Sequence, residues 1–182
     1  MRYEQGLADD DNARQIVQDQ FEGGNRALGT LVEEYYPDWI ARVNKPPGTD
    51  RPVRSRGVGP EFVLPEAGDA PVVFFVVDCL RYDQWLTLAE LLRPHYEVNT
   101  DFYLSILPTA TPYSRNAIFS GMLPVDLVDR FPKAWQSNEE SEHSRNQYEE
   151  ALLHHQLDQH HRGDLSVRYD KLITGEDGQQ LA

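Results

Sequence analysis

Asp78 and Thr111 have the types and surroundings to do chemistry together. Asp78 ends the run Val72-Val73-Phe74-Phe75-Val76-Val77, apolar and largely β-branched, as expected of a strand covered on both faces. Thr111 stands in Pro108-Thr109-Ala110-Thr111-Pro112, an entry into a helix. Side chains at the carboxyl end of a parallel strand project into the crevice where open α/β sheets hold ligands, and so do hydroxyls at a helix start. A carboxylate in that place is a metal ligand, a polar cap on the next helix, or both, and its hard oxygen suits Mg, Mn or Zn. Proline is favoured at the first helical position, which makes Thr111 the predicted N-cap. Its hydroxyl either accepts from the Ser114 N–H, worth about 1 kcal/mol, or sits beside backbone N–H groups that bind phosphate. As a nucleophile it needs deprotonating, which a metal held partly by Asp78 would favour. Asp83 falls in the first turn of the following helix, where the macrodipole favours negative charge. Arg81 either pairs with it or reaches a phosphate.

The elements that must position these residues alternate from Ala70 onward. Strands are expected over 72–77, 96–106 and 165–173, and helices over 82–92, 113–119 and 139–160. The class is α/β, with a small and unfinished sheet. Before it, residues 9–43 read as two helices. The first carries Ala13, Ile16, Val17 and Phe21 on one face and is broken by Gly23-Gly24, and the second carries Leu28, Leu31, Val32, Tyr35, Trp39 and Val43, with Pro37 as a kink. The expected organisation is a helical segment over 1–44, a Pro/Gly/Arg-rich linker over 45–66, and an α/β domain over 67–182. Arg51, Arg54 and Arg56 make the concentrated basic patch of that linker and are expected to be solvated.

Composition narrows the partners. Lys and Arg number 17 against 30 for Asp and Glu, a net charge of -13, which argues against a nonspecific nucleic-acid clamp and suits solubility at high salt. A phosphorylated substrate stays open, because a metal or a helix N-terminus neutralises phosphate locally. Cys79 is the single cysteine, so no internal disulfide and no cysteine-based zinc site can form within one chain; it is expected as a small core filler. The N-terminal residues do not read as a signal peptide, and the apolar runs are far short of the roughly 20 residues of a membrane span, so a cytoplasmic location is expected. His154, His155, His160 and His161 fall on one predicted helix, but no two are spaced i, i+4 as a helical zinc pair prefers. They are expected on a solvated or partly packed face, with His95 in a loop and His143 at the surface.

Two long motifs carry a resemblance. Val77-Asp78-Cys79-Leu80-Arg81-Tyr82-Asp83-Gln84-Trp85 and Ile106-Leu107-Pro108-Thr109-Ala110-Thr111-Pro112-Tyr113-Ser114-Arg115-Asn116-Ala117-Ile118-Phe119-Ser120-Gly121 resemble the PglZ family of the alkaline phosphatase superfamily, closest to the form found in PorX-type response regulators. Tyr35-Tyr36-Pro37-Asp38-Trp39-Ile40 is similar to the end of the helical bundle that precedes such domains, and Phe131-Pro132-Lys133-Ala134-Trp135 to the segment after the catalytic helix. The resemblance implies a partial alkaline-phosphatase-like three-layer sandwich preceded by a helical segment. It also implies Thr111 as nucleophile and metal ligand, Asp78 as first metal ligand, and two zinc ions in a complete domain. The remaining ligands would come from a downstream half and a receiver domain would stand upstream, so the chain reads as a segment of a larger protein whose own hydrolytic rate is expected to be negligible. The implied activity is that of a metal-dependent phosphatase or phosphodiesterase acting on phosphate esters, nucleotides among them, as the output of a two-component regulator. The alternative expectation, from another class, is a non-catalytic regulatory or dimerisation module of a two-component signalling protein, with a homodimer as its partner state.

Overall fold

The computed structural model describes residues 11–42, 51–68, 70–133 and 148–172, with Asp177 and Gln179. The chain divides into two units, Met1–Arg51 and Pro52–Ala182. In the first, one helix, α1 (Asp11–Ala41), runs for 31 residues through Gly23, Gly24 and Pro37, where the sequence predicts a break. Glycine lowers helix propensity without forbidding helical dihedrals. A true stop needs a left-handed residue past the last turn, and neither Gly23 nor Gly24 has positive φ. Side-chain bonds one turn apart, Gln15 to Asp19 and Gln18 to Glu22, each 2.8 Å, support the helix before the glycines. Past its end, Arg51 Nη1 donates to the Arg42 carbonyl at 2.7 Å, a cation where the macrodipole favours one.

The second unit is built around α3 (Thr111–Ser120) and α5 (Glu149–Gln159), with α2 (Tyr82–Leu92) and α4 (Pro124–Arg130) beside them in the chain. Its core joins Phe119, Leu127 and Leu152, with Val76, Met122, Phe131, Tyr148, Leu153 and Tyr169 packed against them. Gly121 ends α3 in the left-handed conformation, φ 67°, as helix C-terminal glycines do. Buried Gln156 of α5 donates to the Ile118 carbonyl at 3.3 Å. A Cβ at Gly121 would meet its Nε2 at 2.6 Å, and one at Gly59 would collide with its Oε1. The two glycines therefore let backbone close on one side chain.

Two expectations are corrected here. The stretch expected as solvated linker is packed from Arg51 on: 55–57 and 59–63 form short helical turns, and Arg51, Arg54, Ser55, Val58 and Gly59 are buried. Leu104 N–H donates to the Val53 carbonyl at 2.8 Å, and Ile106 N–H to the Ser55 hydroxyl at 3.0 Å. Proline and glycine excluded long elements but not these tight turns. Positions 43–50 lie outside the described residues, as do 139–147 of the expected long helix, His143 among them.

The second correction concerns the sheet. Among the described residues there is no β-ladder, only isolated bridges from Arg54 to Leu104 and from Ala67 to Ala70. Segment 72–77 keeps the period of two of a strand, with Val73, Phe75 and Val77 60% exposed or more and Val72, Phe74 and Val76 less so. Phe74 and Tyr169 both pack on Phe119, at ring distances of 6.3 and 5.9 Å. Segments 70–78 and 165–172 line a common groove of about 920 Å³. The space between them leaves their backbones unpaired with each other.

Candidate active site

Asp78 lies in a turn at the end of the extended segment. Its Oδ1 accepts from the Cys79 N–H at 3.0 Å, and Cys79 is held at φ 57°, a region that non-glycine residues rarely adopt. Cys79 is exposed rather than a core filler, in step with the exposed Val77, Phe75 and Val73 two, four and six positions before it. Arg81 and Asp83 pair in the bidentate manner, at 2.9 and 2.7 Å, and the Arg81 bond holds the Asp83 carboxyl down to about 2. Arg81 is thus committed to Asp83. The Arg81 backbone N–H donates to Gln84 Oε1 at 3.0 Å, half of a reciprocal cap on α2.

Thr111 is the first residue of α3, not its cap. Ala110 takes the capping place, with extended dihedrals, and its carbonyl accepts from the Tyr113 and Ser114 N–H groups at 3.0 and 3.1 Å. The expected bond from the Ser114 N–H to the Thr111 hydroxyl is therefore absent. Among the described residues that hydroxyl has no hydrogen-bond partner. Ser114 instead shares a 3.0 Å bond with the Ser105 hydroxyl.

Arg115, one turn beyond Thr111 on α3, reaches toward Asp78. Its Nη1 stands 3.7 Å from Asp78 Oδ2. Its Nε and Nη2 donate to the two oxygens of Glu149 at 2.6 and 2.7 Å, and the Tyr169 hydroxyl donates to Glu149 Oε2 at 2.6 Å. Lys171 Nζ lies 3.9 Å from the same oxygen. Glu149 has no exposed surface, so its charge depends on these donors. Burial works against the Arg115 charge, but the bond and charge of Glu149, with Asp78 behind them, raise its proton affinity. Burial first, and then the bond to Glu149, raise the Tyr169 hydroxyl well above its ordinary value.

Sequence reasoning missed Arg115, Glu149, Tyr169 and Lys171. One signal was present. Glu149 falls on the stripe Leu152, Leu153, Gln156 and Leu157 at spacings of three and four, so it shares the inward face of α5 and requires a buried partner. The histidines lie on exposed or partly packed positions as expected, but only His154 and His155 are on the helix. His154 is exposed, and His155 packs edge-on against Phe131 at 4.9 Å. Helix α5 ends at Gln159, with His161 at φ 56°.

Asp78 and Thr111 offer hard oxygen donors that fit part of the shell of a divalent cation. Among the described residues no group of three or more His, Cys, Asp and Glu side chains completes one. No described helix is long and apolar enough to cross a membrane.

An acid at the end of an extended apolar segment and a hydroxyl at the start of a helix accord with the alkaline phosphatase-like class of domain. The family description that matches is the BREX system PglZ alkaline phosphatase-like domain, over residues 61–182. The chain belongs to the PglZ family. No curated protein matches the chain.

Proposed function

We propose that the chain carries the nucleophile region of a metal-dependent phosphoric ester hydrolase, acting on phosphate mono- or diesters, with Thr111 as nucleophile and Asp78 as ligand of a divalent cation, zinc in this reading. The observation that carries it is the Thr111 hydroxyl: it starts a helix, takes no part in capping it, and shares a helix face with the arginine that reaches toward Asp78. The Thr111 oxygen attacks phosphorus, the bond from phosphorus to the ester oxygen breaks, and the leaving oxygen takes up a proton. Water then hydrolyses the phosphothreonine, returning the hydroxyl and releasing phosphate from a monoester or a phosphomonoester from a diester. A bound cation would supply charge neutralisation and a lowered hydroxyl pKa. The positive end of the α3 dipole, at Thr111, favours an anion there.

The test is to incubate the chain with nitrophenyl phosphate and zinc, quench in acid and map phosphorylation by mass spectrometry. Phosphate on Thr111 is expected in the wild type and in Thr111→Ser, and none in Thr111→Ala. Labelling elsewhere, or none in the wild type, would sink the assignment.

A second reading, a dimerisation module of a signalling protein, is favoured by α1. Ile16, Phe21, Leu28, Leu31 and Tyr35 are each more than 40% exposed along this helix, an apolar complement suited to a second copy. Sedimentation separates the readings: a dimer lost on Leu28→Glu, with no phosphate ever placed on Thr111, supports the module over the hydrolase.

A further inference from the structure

Arg115 has one edge committed and one edge open. Nε and Nη2 are both engaged by Glu149, and a planar guanidinium fixed at two donors cannot swing its remaining nitrogen away. Glu149 is in turn fixed by the Tyr169 hydroxyl. The remaining nitrogen, Nη1, is 3.7 Å from Asp78 Oδ2, outside hydrogen-bond reach, and has no acceptor among the described residues. With Asp78 it lines the groove. Thr111 and Arg115 are four residues apart on α3, hence on one face.

We propose that Arg115 Nη1 donates to a non-bridging oxygen of the phosphate ester at Thr111, with Glu149 and Tyr169 as the positioning residues that aim it. This rests on the Thr111 reading and adds the recognition of the phosphoryl group to it. Nη1 faces the groove that Asp78 lines, where an oxygen of a bound phosphate would complete its hydrogen bonding. Buried ion pairs are in general no more stabilising than an apolar pair of the same size, so stability alone does not call for this one. Lysine could not replace this arginine, because a single ammonium cannot hold both Glu149 oxygens and still present a donor in a fixed direction.

Inorganic phosphate titrated calorimetrically into the chain with one equivalent of zinc tests the assignment, beside thermal melts of each variant. Arg115→Lys should weaken phosphate binding about tenfold or more, the usual worth of a charged hydrogen bond. Tyr169→Phe, which keeps the ring in the core, should weaken it several-fold while still melting cooperatively. If Arg115→Lys fails to fold, Tyr169→Phe alone decides. The proposal is overturned if the wild type binds no phosphate, or if folded variants bind as tightly as the wild type. Lost affinity in the variants without any phosphothreonine in the wild type would keep Arg115 and remove the nucleophile. The reverse pattern would remove Arg115 alone.

Discussion

The pair formed by Arg81 and Asp83 shows how a single side chain sets another's titration. Asp83 is held at about 2 by the Arg81 bond, opposed by some desolvation. A depressed carboxyl contributes its stability above the unfolded value, about 3.9, and loses it as pH falls through about 2. Both partners are well exposed, so the pair governs a proton more than the fold. Carbon NMR of the carboxyl should find its midpoint near 2 in the wild type, and Arg81→Ala should bring it back toward about 3.9. An unchanged midpoint would mean that the bond does not persist in solution. The same scale marks the limit of reading from sequence. Asp83 and Arg81 are two residues apart and their pairing could be foreseen. Arg115 finds Glu149 at 34 positions and Tyr169 finds Glu149 at 20, and no local rule announces partners at that separation.

Elements were legible where periodicity is strong. The spacing of Trp85, Leu88, Leu91 and Leu92 predicts a helix over 82–92, which is the range observed for α2, and the proline entry places α3 within two residues of its bounds. The glycine pair predicts a stop that α1 does not make. At Gly23 and Gly24 an added Cβ would meet nothing within 4 Å, so the glycines there only weaken a helix that continues regardless. Replacing each with alanine should therefore stabilise α1 by about 0.5–1 kcal/mol, read as higher helical ellipticity and a later loss on heating. A loss of helicity in either variant would show that the break exists after all. The extended segments were misread for the opposite reason. Their sequences are those of buried strands, but ladder formation needs a neighbouring backbone at about 4.8 Å, a property of the partner that residues 72–77 do not encode. At the candidate site, Asp78 and Thr111 are suggested by position along their elements, while the Arg115 network depends on how α3 and α5 meet.

For the whole molecule, charge is the variable that acts everywhere at once. A net charge of -13 over 182 residues makes a compact state repel itself. Salt shortens the range of that repulsion from about 30 Å at 0.01 M to about 3 Å at 1 M. The urea midpoint should accordingly rise as sodium chloride is raised over that interval, despite weakening of exposed pairs such as Arg42 with Asp38 at 2.9 Å. A midpoint that falls would place the ion pairs above the self-repulsion.

The alternation along 72–77 bears on how this protein behaves when concentrated. Val73, Phe75 and Val77 form an uncharged, β-prone ridge, and its backbone groups are open to whatever extended chain arrives next. Such a ridge is the seed from which cross-β stacks grow between molecules. The negative charge spread over the remainder then acts as a gatekeeper, holding copies apart at low salt and ceasing to do so as counterions accumulate. The salt that steadies the single molecule is thus also the salt that lets it precipitate.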